Sequence, residues 1–493
     1  MSKITSKVKN GQPIARRPRG FEDKGGDLLR LERELINRAF GIFDAWGFEP
    51  LQTPTLEYAD VLGKYLPDDE RPNTGVFALR DDDNQWLSLR YDLTAPLARY
   101  VAENYNSLSK PYRRYQSGSV YRNEKVGQGR FREFIQCDAD TVGASSATAD
   151  AEMCMLSADV AAGMGLKEGQ YIVKVSNRKL LDALCDNIGF PSTDHGKEQH
   201  MIVLRAIDKL DRLGLDGVAA LLGSGRKDES GAFSKGAGLS VRAIKAVIEF
   251  ISINTHDRQS ALTALSKTIG LSSVGKAGIA ELSEIDALLT KTGYGHERVN
   301  FDTSVVRGLG YYTGPVFETE LLTPIVDDKG DTVKIGSIGG GGRYDDLIAR
   351  FRGQKLPATG CSFGISRFIK AMTTMKSLEY AVFPPVIICS LDESLMGKYM
   401  EIASQLRAQG IRVEVYVGSE RLGKQLKYAD HRNAKFAVII GEDEISKGVA
   451  TVKDLWKGSV LSENIKSHAE WKEQQMSQTI VPLEKLADFI RQT

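Results

Sequence analysis

Cysteine is scarce and never clustered in this chain. Its five residues, Cys137, Cys154, Cys185, Cys361 and Cys389, are odd in number and form no Cys-x-x-Cys pair. That excludes a disulfide framework and a thiolate zinc site, and it fits a reducing cytosol. His195 and His200, five apart, would not share a helix face, so no protein zinc site is read from histidine either. No apolar run is long enough to cross a bilayer, which argues against a membrane protein. Met1–Gly20 is basic and polar without an apolar core, so it is not a secretory signal. It reads as a flexible tail, with a phosphate-binding arm as the alternative. Net charge is nearly absent, +1 over 493 residues, so any nucleic-acid contact must come from local patches. There is no internal repeat.

What is present is ordinary globular material, 42% hydrophobic, with length for two or three domains. Asp27 to Trp46 carries apolar residues at helical spacing (Leu28, Leu29, Leu31, Leu35, Ala39, Phe40, Phe43), and Gly47 stands where a helix end favours glycine. Phe48 to Pro54 follows as an extended run. Tyr112 to Val142 alternates and predicts sheet; Ala147–Met164 predicts a helix and Tyr171–Val175 a strand. Leu180–Leu222 and Val241–Leu271 read as helices divided by a Gly/Ser/Lys loop, Gly223–Ser240. This block shows no strand signal and looks inserted. Sheet patterning resumes at Val299–Val306 and continues through Val316–Leu322 and Val333–Ile338. Beyond Tyr380–Pro385, strands and helices alternate, which predicts an α/β domain with a mostly parallel sheet.

The most informative stretch is Tyr121–Gln136, two strands joined by a short loop with cations on both arms. From Lys110 to Arg132, seven Lys/Arg stand against one Glu, a local charge of +6. Such a concentration calls for an anion, and phosphate fits best. Arg122 and Glu124, two apart on a strand, share one face. Phe134 beside them can stack on a purine or pack in the core. Asp92 and Thr94 suit an ammonium group; alternatively Thr94 caps the Ala95–Ala102 helix. Arg307 leads into a glycine turn with Tyr311 and Tyr312, whose hydroxyls can bind a polar ring or simply pack. The glycine run Gly336–Gly342 lacks the Gly-Lys-Ser/Thr of a P-loop and suggests a backbone floor under a flat ligand. Arg367 follows a Gly-rich strand-to-helix junction, a setting for phosphate.

Together these clusters resemble the class II aminoacyl-tRNA synthetases, and within them the histidyl-tRNA synthetases. Gly47–Pro54 resembles motif 1, Tyr121–Gln136 motif 2 and Gly360–Arg367 motif 3. Arg307–Tyr312 and Gly340–Asp345 are the more specific segments. Leu422–Ala429, Gly441–Glu444 and Val452–Leu455 resemble that family's anticodon-binding domain. The fold implied is α/β: an α+β catalytic domain whose antiparallel sheet is flanked by helices, a helical insertion, and a C-terminal α/β domain. The division expected is a tail, 1–20; a catalytic domain, 21–177 and 276–379; the insertion, 178–275; and the anticodon-binding domain, 384–493. The activity implied is ATP-dependent ligation of L-histidine to its tRNA through a histidyl-adenylate, in a cytoplasmic homodimer. Arg122 would bind the α-phosphate and the histidine carboxylate, with Arg307 on the other side of that phosphate. Arg367 would take the γ-phosphate, Phe134 would stack on adenine, and Glu124 would bind the adenine amino group or the Mg2+ carried with ATP. Asp92 and Thr94 would hold the α-ammonium and Gln136 the substrate backbone. Tyr312 and Asp140 would read the imidazole, with Tyr311 beside them. Lys125, Gln128 and Arg130 of the motif 2 loop, and Lys424 and Lys427 with Arg432, are candidate tRNA contacts; Arg226, Lys227 and Lys235 of the insertion are candidates for the acceptor stem.

Four positions depart from the family pattern. Asp140 replaces the usual Glu, Gly310 an Asp, and Ser366 the Glu of a Glu-Arg pair. Lys125 and Gly127 stand where an Arg and a Gln often read the extra 5′ guanosine of this tRNA, which suggests that the acceptor end is read differently here. The rival reading is a non-catalytic paralogue, the regulatory subunit of ATP phosphoribosyltransferase, which lacks the C-terminal domain.

Overall fold

The computed structural model describes residues 14–65, 75–126, 131–190, 197–227, 231, 233–253, 256–308, 311–326, 332–333, 336–374, 384–457 and 478–492. Contacts divide the chain into two units, Met1–Leu378 and Glu379–Thr493. Most of the tail and the motif 2 loop residues Gly127, Gln128 and Arg130 lie outside the described residues, as do Gly310 and His195. No described helix is long and apolar enough to cross a membrane.

The first unit opens with α1, Gly26–Ala45, which buries Leu31, Leu35, Ala39 and Phe43 at helical spacing. Its end is the glycine stop that the sequence predicts. Gly47 has φ +76°, Phe48 N–H donates to the Phe43 carbonyl at 3.0 Å and Gly47 N–H to that of Asp44 at 2.9 Å. Of the extended run that follows, only Glu49–Pro50 pairs as a strand, β1. A small side sheet comes next, from β2 (Leu56–Tyr58), β3 (Ala78–Arg80) and β4 (Trp86–Leu89). Then come α2 (Thr94–Glu103), the hairpin strands β5 (Tyr112–Tyr121) and β6 (Glu133–Val142), α3 (Ala147–Gly163) and β7 (Tyr171–Asn177).

The inserted block contains α4 (Arg178–Asn187), α5 (Lys197–Ile207), α6 (Leu210–Leu222), α7 (Val241–Ile251), α8 (Arg258–Ile269) and α9 (Ser273–Lys291). It is not wholly helical as read from the sequence. Two three-residue strands, β8 (Gly225–Lys227) and β9 (Phe233–Lys235), pair within the Gly/Ser/Lys loop. Strands of three residues, with Phe233 their one large apolar side chain, leave no alternation to detect. Arg226, Lys227 and Lys235 all lie on this hairpin, the two lysines exposed.

After α9 the chain supplies β10 (Val299–Phe301), β11 (Pro315–Leu321), the short β12 (Ile325–Val326) and β13 (Thr332–Val333), β14 (Ser337–Arg343), a helical turn α10 (Ala349–Arg352), β15 (Ala358–Gly364) and α11 (Ile365–Thr374). Eight strands form one sheet in the order β1-β5-β6-β15-β14-β11-β7-β10. Its interior pairings are antiparallel, and only the two edge pairings, β1 with β5 and β10 with β7, are parallel. Helix α3 is apolar on nearly all sides and contacts β7, β11, β14 and β15, so it forms the core under the sheet. Its one buried carboxylate, Asp150, bonds Arg343 of β14, and Arg343 also reaches Glu281 of α9 at 3.0 Å. Burial holds the Asp150 carboxyl up, to about 6, against the opposing pull of Arg343.

The second unit has its own core around Tyr399, Phe436 and Val438. Strands β16 (Val386–Ser390), β17 (Val413–Val415) and β18 (Phe436–Ile440) are parallel, joined through helices α12 (Met396–Ala408) and α13 (Leu422–His431). Helix α14 (Glu442–Lys447) then leads to β19 (Val449–Asp454) and β20 (Gln478–Pro482), which join antiparallel. The sheet is therefore mixed: parallel where helices cross over, antiparallel where the chain returns directly.

Candidate active site

Residues alternate between the two faces of a strand, so Phe134, Gln136, Asp138 and Asp140 of β6 share one face while Cys137 and Ala139 are buried on the other. The register continues that face across the sheet. Asp138 pairs with Gln116 of β5 and Ser362 of β15, Ser362 with Gly340 of β14, and Gly340 with Glu318 of β11. Glycines at the centre keep this face low. A Cβ on Gly340 would stand 3.4 Å from the Arg307 guanidinium, and one on Gly360 would stand 2.0 Å from the Asp140 carboxylate. The backbone floor expected from the glycine run is therefore present, and Gly339, Gly340 and Gly341 line the cavity above it.

That cavity has a volume of about 400 Å³. It is walled by Arg122, Glu124, Phe134, Gln136, Arg307, Tyr312 and Arg367, seven residues singled out from the sequence, together with Ser337, Ser362, Ser366 and Asp208. Three arginines thus surround one space. The Arg122 guanidinium stacks over Tyr91 at 4.4 Å and over Phe134 at 5.1 Å. Arg307 pairs with Glu318 at 2.8 Å, and Arg367 donates to the Ser337 carbonyl at 2.9 Å. Ser366 Oγ accepts from the Ile135 N–H at 3.1 Å and from Lys24 at 3.3 Å, and Lys24 pairs with Glu32 of α1 at 2.6 Å.

Behind Tyr312 lies a polar cluster. Tyr311 interacts with Asp92, Asp140 and Thr94, and Tyr312 with Arg307, Asp140, Asp138 and Asp92; burial pushes both hydroxyls up. Asp140 is 3% exposed. Arg114, fully buried, lies 2.7 Å from its Oδ2, and Tyr344 donates to its Oδ1. The carboxylate proposed to read a ring is thus oriented by two groups that sequence reading did not single out.

Asp92 has a structural role as well. Its Oδ1 accepts from the Thr94 and Ala95 N–H groups at 3.1 and 2.9 Å. The cap at the start of α2 is therefore Asp92, not Thr94 as weighed from the sequence, because the turn brings its side chain back over the orphan N–H groups.

Two buried acceptors on this face of β6 have no hydrogen-bond donor among the described residues, Gln136 Oε1 and Asp138 Oδ1; beside them the Asp140 carboxylate is paired with Arg114. Buried acceptors are rarely left unpaired, so this row calls for a ligand rich in N–H groups. Sequence reading named Gln136 and Asp140 and passed over Asp138 between them, although the i, i+2 spacing was there to be read. Glu318, Asp208 and Ser362 carry no such local signal.

The remaining candidates lie elsewhere. Lys125 is exposed on the motif 2 loop. In the second unit Lys424 and Lys427 are exposed on α13; Lys424 pairs with Glu420 at 2.9 Å and Arg432 with Glu414 at 3.1 Å.

An antiparallel sheet with an arginine-bearing hairpin, a glycine floor and an arginine opening the following helix defines the catalytic fold of a class II aminoacyl-tRNA synthetase. A profile of the histidyl-tRNA synthetase family matches residues 20–368, and one described as an anticodon binding domain matches 385–493. A protein of Caulobacter vibrioides named histidine–tRNA ligase is 48% identical over 482 residues, 97% of each chain. One of the same name from Rhizobium meliloti is 47% identical, covering 99% of this chain and 97% of its own. The crystal structure of histidyl-tRNA synthetase from Nostoc sp. PCC 7120 superposes with a TM-score of 0.74 at 27% identity, covering 98% of this chain and all of that one. The chain belongs to the histidyl-tRNA synthetase family.

Proposed function

We propose that this protein activates L-histidine with ATP and transfers the histidyl group to its tRNA. The observation that carries the reading is that three arginines, suited to a triphosphate, line one cavity with Gln136, and that Gln136 begins a row of buried acceptors with Asp138 and Asp140 on one face of β6, suited to an amino acid rich in N–H groups. The first step is in-line attack of the histidine carboxylate on the α-phosphate, releasing pyrophosphate. The protein's task is to align the two anions and stabilise the charge that gathers on the phosphorane.

Arg122 binds the carboxylate and the α-phosphate, and Arg307 neutralises the phosphate from the opposite wall, oriented by Glu318. Arg367 holds the γ-phosphate and the Phe134 ring carries the adenine. Asp92 and Thr94 hold the α-ammonium, Asp92 through the oxygen its cap leaves over. Gln136 orients the substrate backbone, Nε2 donating to Ser362 at 2.8 Å and Oε1 facing the substrate. Asp140 and Tyr312 read the imidazole, with Tyr311 beside them. Glu124 and Asp208 supply hard carboxylate oxygens on the cavity wall, a donor type that fits Mg2+. Glu124 would hold the ion, which would screen the phosphate charge.

The anticodon-binding domain offers Lys424, Lys427 and Arg432 to tRNA, and the insertion offers Arg226, Lys227 and Lys235. A homodimer built through motif 1 and a cytoplasmic location complete the proposal; five unpaired, buried cysteines suit a reducing compartment. The acceptor end is proposed to be read without the extra 5′ guanosine. Charging transcripts with and without that nucleotide tests this, and strict dependence on it would overturn it. Histidine-dependent ATP–pyrophosphate exchange tests the main reading. The regulatory-subunit alternative is disfavoured by relatives that match over nearly the full length, C-terminal domain included.

A further inference from the structure

Asp138 is the acceptor in the β6 row that the proposed reaction leaves without a task. It is 2% exposed, and its Oδ1 has no donor among the described residues. Ser362, which accepts from Gln136 at 2.8 Å, hydrogen-bonds to its carboxylate. The cations around it are Arg114 on β5 and, farther off, Arg90; the anions are Asp140 and Asp92. Tyr312 and the Cys361 thiol complete its surroundings.

Charge decides what Asp138 can meet. Arg114 sits against Asp140, at 2.7 Å, and Arg90 is committed to backbone carbonyls, those of Ser119 at 2.8 Å and Thr53 at 3.0 Å. Three aspartates, Asp138, Asp140 and Asp92, thus stand against two arginines, and with all of them ionised the cluster holds one negative charge in excess. An unmatched buried carboxylate is strongly disfavoured. Burial accordingly pushes its carboxyl up, to about 7, against the pull of Arg114. The charge is matched when a cationic donor enters. Asp138 and Asp140 are two residues apart on one strand face, so their side chains stand roughly 7 Å apart. An imidazole ring with an N–H···O bond on each side spans such a gap.

We propose that Asp138 is a specificity-determining residue that accepts from the second ring nitrogen of histidine, so that the ring is bound as an imidazolium between Asp138 and Asp140. The inference rests on the reading of this cavity as the histidine site. It assigns the site a protonation state. Near pH 8 both the free histidine ring and Asp138 are largely deprotonated, so the complex must take up a proton. A contact with the α-ammonium, already protonated at that pH, would take up none.

The test is isothermal titration calorimetry of histidine into the full-length enzyme at about pH 8, in buffers of different ionisation enthalpy. The expected result is uptake approaching one proton per histidine in the native enzyme, falling toward zero in Asp138→Asn. In pyrophosphate exchange, the native KM for histidine should rise about tenfold per pH unit above pH 7, and the Asn variant should flatten that rise. Saturable binding without proton uptake by the native enzyme would overturn the inference and leave the histidine site standing. Absence of histidine binding would instead overturn the site itself. The native measurement needs no variant, so a folding defect in Asp138→Asn cannot obscure the outcome.

Discussion

Asp150 of α3 and Arg343 of β14, 193 positions apart in sequence, form a buried ion pair beneath the glycine floor. The arginine of the Gly-Gly-Gly-Arg-Tyr-Asp segment is thereby explained without the substrate: it pins the floor to the helix below and, through Glu281, to α9. Removing one member of such a pair strands the other in the core. Arg343→Ala is expected to cost about 3–5 kcal/mol of stability by urea unfolding. Replacing Asp150 and Arg343 together by apolar residues of similar size should cost much less.

The three arginines should separate kinetically. Arg122→Ala and Arg307→Ala are expected to lower kcat for pyrophosphate exchange by about 10²–10³-fold, the usual loss when a positioned charge-stabilising donor is removed. Arg367→Ala should act mainly on the KM for ATP, leaving the KM for histidine near its native value. Steady-state exchange with each substrate varied in turn makes the comparison.

The Tyr344 hydroxyl donates to Asp140, while its ring packs on Tyr311 at 5.6 Å and would stay there in a phenylalanine. Tyr344→Phe removes one donor to a buried carboxylate, worth about 1–1.5 kcal/mol. The expected result is a rise of roughly 5–10-fold in the KM for histidine with the KM for ATP unchanged. Equal effects on both substrates would show that the hydroxyl supports the fold rather than Asp140.

Asp138 makes stability depend on pH. Its folded-state carboxyl, at about 7, lies above the unfolded value. Between roughly pH 4 and 7 the folded chain keeps a proton that the unfolded chain has released, so this group's contribution to stability is present at acid pH and is lost as pH rises through about 7. Asp138→Asn is neutral throughout. It should exceed the native protein by on the order of 2 kcal/mol near pH 8, and the gain should vanish near pH 4. Thermal unfolding at the two pH values gives the difference.

The sequence carried the strand faces and the arginines that line the cavity because both stand out at short range: Arg122 with Glu124, Phe134 with Gln136, Gly47 closing α1. It did not carry Arg114 or Tyr344. Each touches Asp140 from another strand or loop, and which residue of a strand faces which neighbour is set by register. The β8–β9 hairpin was missed because two three-residue strands with one apolar side chain between them, Phe233, show no apolar alternation. The cap on α2 was assigned two residues late, since a side chain that folds back over a turn looks in sequence like any loop aspartate.

Ser366, where the family more often has a glutamate, receives the Ile135 N–H from the floor of the site and the Lys24 ammonium from beyond it, and Lys24 is fastened to Glu32 on α1. One hydroxyl therefore acts as a mechanical splice between the first helix of the chain and the turn that aims Arg367. A load applied to α1 reaches the turn before Arg367 through side chains alone, without passing through the sheet.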